Sequence, residues 1–330
     1  MNKISVLMCV YDTPVNYLQE AIDSILNQNF SEWEMIIVDD GSNQQTVEVL
    51  KKYAKKNNQI KIIRNKQNLG LTKSLNIGLK KCSGRYIARM DSDDISLVDR
   101  LNRQYKYMEE HQEVDVLGVN VENFGDKSIY QPKFRNYMND TNVFRVKMLF
   151  NNVGPRHPSV MIRKSFLDEN NILYQEKMVK AQDYALWVDC IEAGAIFACL
   201  NEKLLLYRIH KEQITTSAHG EQSQYLKKII QGNLMKIFGI EQEGAEVLST
   251  LYSDKFEFTV EKYIFWIDYL SKTNRIYSPT IFDNELKERW IHKVIKCAKY
   301  SKDYRGLKYI FTLRCVFSKS LFSWIRYSFL

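Results

Sequence analysis

The sequence predicts an α/β fold: a mostly parallel sheet flanked by helices, with a helical C-terminal region. Short apolar runs alternate with amphipathic stretches from Ile4 to Val121. Acidic residues stand directly after two of those runs, where open α/β sheets bind their ligands. Beyond Thr215 the apolar spacing settles to three and four, the helical period.

The elements follow in order. Ile4–Val10 is apolar nearly throughout, as buried parallel strands are, and Tyr11 and Asp12 follow it. Thr13 is placed to cap a helix with Pro14 at its first position; Leu18, Ala21, Ile22, Ile25 and Leu26 form that helix's inner stripe. A second strand, Trp33–Val38, ends in Asp39-Asp40-Gly41-Ser42. Ser42 or Asn43 then starts a helix carrying Val47, Leu50 and Tyr53. The third strand, Ile60–Arg64, leads through Asn68-Leu69-Gly70 to a helix with Leu71, Leu75 and Leu79.

After the Ser83-Gly84 turn, the run Arg85–Ala88 reads as a buried strand that delivers Arg89-Met90-Asp91-Ser92-Asp93-Asp94. Leu97, Leu101, Tyr105 and Met108 mark the next helix, and Asp115–Val121 a further strand. Strands alternating with helices in this way imply a parallel or mostly parallel sheet. From Gly125 to Pro155 periodicity is lost. Arg156-His157-Pro158-Ser159 then precedes the apolar Val160–Ile162, and Lys180–Tyr184 opens a helix with Leu186, Trp187, Cys190 and Ile191 inward. Asp183 at that helix start is either a cap or a functional acid. A strand at Leu204–Tyr207 is followed by Arg208-Ile209-His210, and helices are expected at Tyr225–Phe238, Phe256–Leu270 and Leu286–Tyr300. The expected division is a first domain of residues 1–215 and a helical region of 216–330.

Composition narrows the function. Apolar content of 45% and charged content of 26% describe an ordinary globular protein. The six cysteines form no C-x-x-C pair or zinc spacing, and a strand from residue 4 leaves no room for a leader, so a reducing, cytoplasmic setting is expected. From Ile291 to Leu330 six Lys and three Arg meet only Asp303, which accounts for the whole net charge of +8. The tail therefore reads as basic and the preceding chain as balanced, without a motif for reading nucleic acid. No G-x-G-x-x-G or G-x-x-x-x-G-K-[ST] is present, which disfavours dinucleotide dehydrogenases and P-loop ATPases.

Asp91, Asp93 and Asp94 repel one another and call for a cation. Two carboxylates two apart suit a hard divalent ion whose remaining ligands are substrate phosphates, so the stretch points to metal–diphosphate binding.

Several segments together resemble the family 2 inverting glycosyltransferases of the GT-A fold. They are Ile4–Tyr11, Ile36–Ser42, Asn68-Leu69-Gly70 with Asn76 and Gly78, Arg89–Asp94, Gln182-Asp183-Tyr184 with Trp187, and Tyr207-Arg208 with His210. The likeness runs over about residues 3–215; the last third resembles nothing recognised. The resemblance implies a donor site of Tyr11, Asp40, Asn68, Gly70, Arg89 and Asp91, with Tyr11 stacking on uracil and Asp40 accepting from its N3–H. Asp91 would reach the ribose and share with Asp93 a divalent cation, Mn²⁺ or Mg²⁺, with His210 added from the far end of the domain. Asp183 resembles the general base. Position 12 is often Asn in the family and is Asp here.

The implied partners are a nucleoside diphosphate sugar, a UDP-sugar for preference, and a saccharide or lipid-linked acceptor of surface-polysaccharide assembly. Residues 305–330 fit an amphipathic helix, with Arg305, Lys308, Lys319 and Arg326 on one side, and would attach the protein to the inner face of the membrane. The alternative is a chain that binds nucleotide sugar or a membrane surface without catalysis.

Overall fold

The computed structural model describes residues 2–126, 137–138, 140–210 and 219–307. The chain divides into two compact units, Met1–Thr141 with Val153–Tyr225, and Asn142–Asn152 with Leu226–Leu330.

The first unit is built on one eight-stranded sheet. Its elements are β1 (Ile4–Val10), α1 (Val15–Leu26), β2 (Trp33–Asp39), α2 (Gln44–Lys56), β3 (Ile60–Arg64), α3 (Leu71–Leu79), β4 (Tyr86–Asp91) and β5 (Ile95–Ser96). There follow α4 (Arg100–Glu110), β6 (Val116–Gly125), β7 (Met161–Arg163), α6 (Lys164–Glu169), α7 (Gln182–Glu192) and β8 (Phe197–Ile209), while α5 (Thr141–Met148), which comes between β6 and β7 in the chain, belongs from Asn142 on to the second unit. The strand order is β3-β2-β1-β4-β7-β6-β8-β5. β1 pairs in parallel with β2 and β4, β2 with β3, and β6 with β8. The apolar run after Pro158 becomes β7, an antiparallel insert between β4 and β6, and β5 runs antiparallel to β8. The α/β fold with a mostly parallel sheet is therefore as the sequence predicts.

Register carries the acids to one edge. Val10 lies opposite Asp39 and Cys9 opposite Asp91, so the carboxyl ends of β1, β2 and β4 finish side by side. One face of these strands, through Val6, Met8, Met35, Ile37, Ala88 and Met90, buries against Leu18, Ile22 and Ile25 of α1. α3 covers the other face so closely that a Cβ at Gly78 would lie 2.3 Å from a Leu7 methyl. At the opposite end of the strands Glu34, 1% exposed, accepts from Ser5 Oγ, Ser83 N, Ser83 Oγ and Lys61 Nζ. One carboxylate thus ties β1, β2, β3 and the turn before β4.

Two local expectations are corrected. Thr13 does not cap α1; the helix starts at Val15 after Pro14, and Thr13 Oγ1 instead meets Ser92 Oγ at 2.6 Å. Leu97 does not join α4, which begins at Arg100. Leu97 N donates to the Leu204 carbonyl and Ser96 N to Ser24 Oγ, so pairing with β8 and α1 outcompetes another helical turn.

The second unit holds the segment Asn142–Asn152, most of α8 (His219–Phe238), α9 (Gln242–Ser249), α10 (Val260–Thr273) and α11 (Pro279–Tyr300). Thr259 caps α10 by accepting from Lys262 N. Tyr263, Leu270, Phe282, Leu286 and Trp290 are buried there, and Phe150 packs 6.3 Å from Phe282. Lys293 is fully buried; its ammonium donates to Thr250 O, Ser253 Oγ and Lys255 O, and burial pulls its pKa down to about 8. Of the tail helix expected over 305–330, residues 308–330 lie outside the described residues. No described helix is long and apolar enough to cross a membrane.

Candidate active site

Three loops meet at the carboxyl ends of β1, β2 and β3. Tyr11, half exposed, ends the first of them. Asp12 adopts φ +50°, which Asp tolerates better than most residues, and its Oδ1 accepts from both Asn43 N and Asn43 Nδ2. Its own N–H donates to Ser42 Oγ, so position 12 fastens the first loop to the second. Asp39 holds the second loop by accepting from Ser42 N.

Asp40 is almost wholly buried. Its Oδ1 accepts from Asn65 Nδ2 and Leu69 N, and its Oδ2 from Gly70 N. Asn68 Oδ1 accepts from the same Gly70 N, and Gly70 (φ +88°) sits at the N-cap of α3. Gly41 lets these loops touch, since a Cβ there would lie 2.6 Å from the Gln67 carbonyl carbon. Asp40, Asn68 and Gly70 are thereby one assembly, with Asp40 shaping the loop that the other two lie in.

The second half of the site is the acid loop after β4. Asp91, Asp93 and Asp94 each bring a carboxylate oxygen within 4.8 Å of the others. Asp91 is paired with the buried Arg89. Burial pushes the Asp91 carboxyl up; Arg89 opposes this, and the charges of Asp93 and Asp183 add to it. Asp94 is fully buried, with Oδ1 accepting from Arg208 N and Oδ2 left without a partner. Burial, then the charges of Asp91 and Asp93, hold its carboxyl well above the usual range.

A buried carboxylate oxygen without a partner beside two more acids fits a divalent cation. The donors are all hard oxygens, the set that Mg²⁺ and Mn²⁺ take.

β8 closes this loop from the other side. His210 Nε2 is 2.8 Å from Asp93 Oδ2, and Arg208 Nε donates to Asp93 O at 2.7 Å. Arg208 also pairs with Glu20 and lies 4.1 Å over the Tyr17 ring, so α1 and β8 jointly fix the loop. Beneath it Arg100, fully buried, donates to the Arg89 carbonyl, Ser96 Oγ and Gln104 Oε1.

Asp183 lies in the first turn of α7, whose N-cap is Ala181. It is not the cap, and it is near enough to help raise Asp91. A buried chain of polar contacts ties this region to α3. Asn76 Nδ2 donates to the Tyr174 carbonyl while Tyr174 N donates to Asn76 Oδ1. The Tyr174 hydroxyl lies 2.7 Å from His157 Nε2, and His157 packs edge-on to Trp187 of α7. Burial, aided by the Arg89 charge, keeps His157 neutral, with its pKa well below the usual value.

Of the residues singled out from sequence, Asp40, Asn68 and Gly70 share one loop assembly, and Arg89, Asp91, Asp93 and His210 surround the acid loop with Asp183 near. Sequence reasoning gave no role to Asp12, Asp94, Arg208, His157 or Tyr174. Asp94 was signalled by three acids in four residues; the others become visible only through partners distant in sequence.

Known proteins share the sequence pattern and the fold. The family model described as "Glycosyl transferase family 2" matches residues 5–170. An uncharacterised glycosyltransferase of Methanocaldococcus jannaschii is 34% identical over 223 residues, covering 67% of this chain and 76% of that protein. The O-antigen biosynthesis glycosyltransferase WbnJ of Escherichia coli is 34% identical over 228 residues, 66% of this chain and 84% of the relative. Among solved structures, S. aureus TarS 1–349 in complex with UDP-GlcNAc superposes with TM-score 0.63 at 18% identity, covering 96% of this chain and 93% of the other; at that identity the likeness speaks for the fold alone. The fold is thus the GT-A-like nucleotide-sugar transferase fold with a C-terminal helical region, and the activity is inverting glycosyl transfer from a nucleoside diphosphate sugar. The chain belongs to glycosyl transferase family 2.

Proposed function

We propose that the protein transfers a hexose or N-acetylhexosamine from a UDP-sugar to a hydroxyl of a saccharide or lipid-linked acceptor, with Asp183 as general base. The observation that carries this reading is the placement of the acids: three converge on the β4 loop, while Asp183 approaches from α7. Inverting transfer needs two such places. The acceptor oxygen attacks the anomeric carbon as the bond to the diphosphate oxygen breaks, and the acceptor proton passes to the Asp183 carboxylate. Asp91, Asp93, Asp94 and His210 would hold a divalent cation, which offsets charge on the leaving diphosphate when bound. Tyr11 offers an exposed ring to the base, and Asp40 holds the loop with Asn68 and Gly70 beside it.

Uridine is favoured by TarS, whose structure holds UDP-GlcNAc, and a polysaccharide acceptor by the O-antigen role of WbnJ. Attachment to the inner membrane face through the basic residues 305–330 belongs to the same proposal.

A panel of UDP- and GDP-sugars, assayed for nucleotide release and for protection against thermal unfolding, tests the donor. UDP-sugars alone should score in both. Protection without release under any metal would mark a chain that binds nucleotide sugar without catalysis.

A further inference from the structure

The first 290 residues are neutral in sum but not in distribution. Between Gln44 and Lys81 stand nine Lys and one Arg against a single acid, Glu48. The fold sets them on three neighbouring elements at one edge of the sheet. β3 is an edge strand of the sheet; α2 and α3 flank that edge on opposite faces, α2 packing with the α1 side and α3 against Leu7 and Val38.

The spacing along α2 turns its cations outward. At about 100° per residue, Lys51, Lys52, Lys55 and Lys56 share one side, opposite the buried Thr46, Val47 and Leu50. All four are exposed, as are Lys73, Lys80 and Lys81 on the α3 side and Lys66 in the loop between. Among the described residues none of these eight ammonium groups has a hydrogen bond or ion pair. Elsewhere in the same unit the pattern differs: Arg103 pairs with Glu202, Lys203 with Glu122 and Arg85 with Glu109.

Lysine on an edge strand guards against strand-to-strand aggregation, which accounts for Lys61. That does not explain four unpaired lysines on a helix away from the strand. One-signed fields of this density attract a polyanion.

We propose that the β3 edge, with α2 and α3, is an electrostatic docking face for a membrane surface bearing anionic headgroups. The face is built of exposed lysines rather than arginine forks. Its one arginine, Arg64, is turned onto Asp39. Flexible ammonium groups suit headgroups that move laterally, whereas discrete phosphate recognition favours bidentate arginine. Nucleic acid is disfavoured because no exposed aromatic offers a base a stacking surface; Tyr53, the only aromatic residue in the stretch, is half buried and bonds Asp23. This face is separate from residues 305–330 and rests on no assignment of the sugar donor.

The test is co-sedimentation of the full-length protein with vesicles of phosphatidylcholine, with and without phosphatidylglycerol. A variant carrying Lys51→Gln, Lys52→Gln, Lys55→Gln and Lys56→Gln is run beside it. Gln keeps the helix, and an unchanged melting temperature and circular dichroism spectrum verify the fold. Each lysine at an anionic surface contributes roughly fivefold to partitioning. The variant should lose on the order of several hundredfold, and wild-type binding should fall steeply with salt. A second variant, Lys73→Gln with Lys80→Gln and Lys81→Gln, should lose binding in the same direction. Equal binding of wild type and both variants overturns the proposal and leaves docking to the C-terminal residues. Capture by heparin or single-stranded DNA, with no lysine-dependent binding to anionic vesicles, overturns the membrane assignment.

Discussion

His210 and Asp93, 117 residues apart in sequence, meet at 2.8 Å where β8 ends against the acid loop. Arg208, two residues earlier, holds the same loop through the Asp93 carbonyl and the Asp94 carboxylate. The end of the catalytic unit therefore returns to shape a loop laid down near its middle.

Asp93→Ala should abolish transfer while circular dichroism and melting stay close to wild type, because Asp93 is a partly exposed loop residue. EDTA should abolish activity and Mn²⁺ or Mg²⁺ restore it. His210→Ala should raise the metal concentration needed for half-maximal activity. Full turnover in EDTA removes the metal from the mechanism.

Asp183→Asn keeps the size of the side chain but cannot take a proton. Transfer should fall by roughly 10²–10⁴, the usual contribution of a general base, with UDP affinity measured by calorimetry unchanged. A parallel collapse of UDP affinity would reassign Asp183 to donor binding.

His157 gives a pH dependence with a definite sign. Its folded pKa lies well below 6.5, so the unfolded chain binds the proton more readily, and stability is lost as pH falls below 6.5. The raised carboxyls of Asp91 and Asp94 act in the opposite direction. The comparison is therefore with His157→Gln, whose stability in urea should fall less than wild type between pH 7 and 5. Tyr174→Phe should cost about 1 kcal/mol at pH 7 through the lost bond to His157. Parallel pH curves for wild type and His157→Gln would show that His157 takes up its proton in the folded protein.

Glu34 acts at the opposite end of the strands. Burial alone would raise its carboxyl, but hydrogen bonds from Lys61, Ser83 and Ser5 outweigh it and bring the pKa down to about 2. Its contribution is fully present above pH 4.5 and is lost as pH falls through about 2. Glu34→Gln should destabilise by about 1.5–3 kcal/mol at neutral pH, the range for hydrogen bonds to a charged group, with little change in the Km for donor. An unaltered urea midpoint would show that the four donors are satisfied without the charge.

Much of the fold was legible because parallel strands buried on both faces announce themselves as apolar runs; Ile4–Val10 and Trp33–Val38 needed nothing else. Element ends were less legible where a tertiary partner decided them. Thr13 has the chemistry of a cap, yet Ser92 claims its hydroxyl. Leu97 has helical spacing, yet the Leu204 carbonyl claims its N–H. The acid loop could be read because three like charges in four residues are costly without a cation. Arg208 and Tyr174 could not, since their roles come from residues about a hundred or more positions away. The segment 142–152 had no periodicity of its own; Phe150 and Lys147 find their partners, Phe282 and Glu285, more than a hundred residues on.

The two-way bond between Asn76 and Tyr174 also bears on how the enzyme is made. Asn76 belongs to the third helix of a nascent chain that has already produced β1, β2 and β3, yet its buried amide is completed by a backbone 98 residues later. Until the ribosome has released residue 174, α3 carries an amide that must either stay hydrated or remain unsatisfied in an apolar layer. The early βαβ repeats can thus associate during synthesis, but the packing of α3 beneath the loop of Asn68 and Gly70 waits for the segment that carries Tyr174. Truncated chains ending between α3 and Tyr174 are accordingly the species that would most need a chaperone.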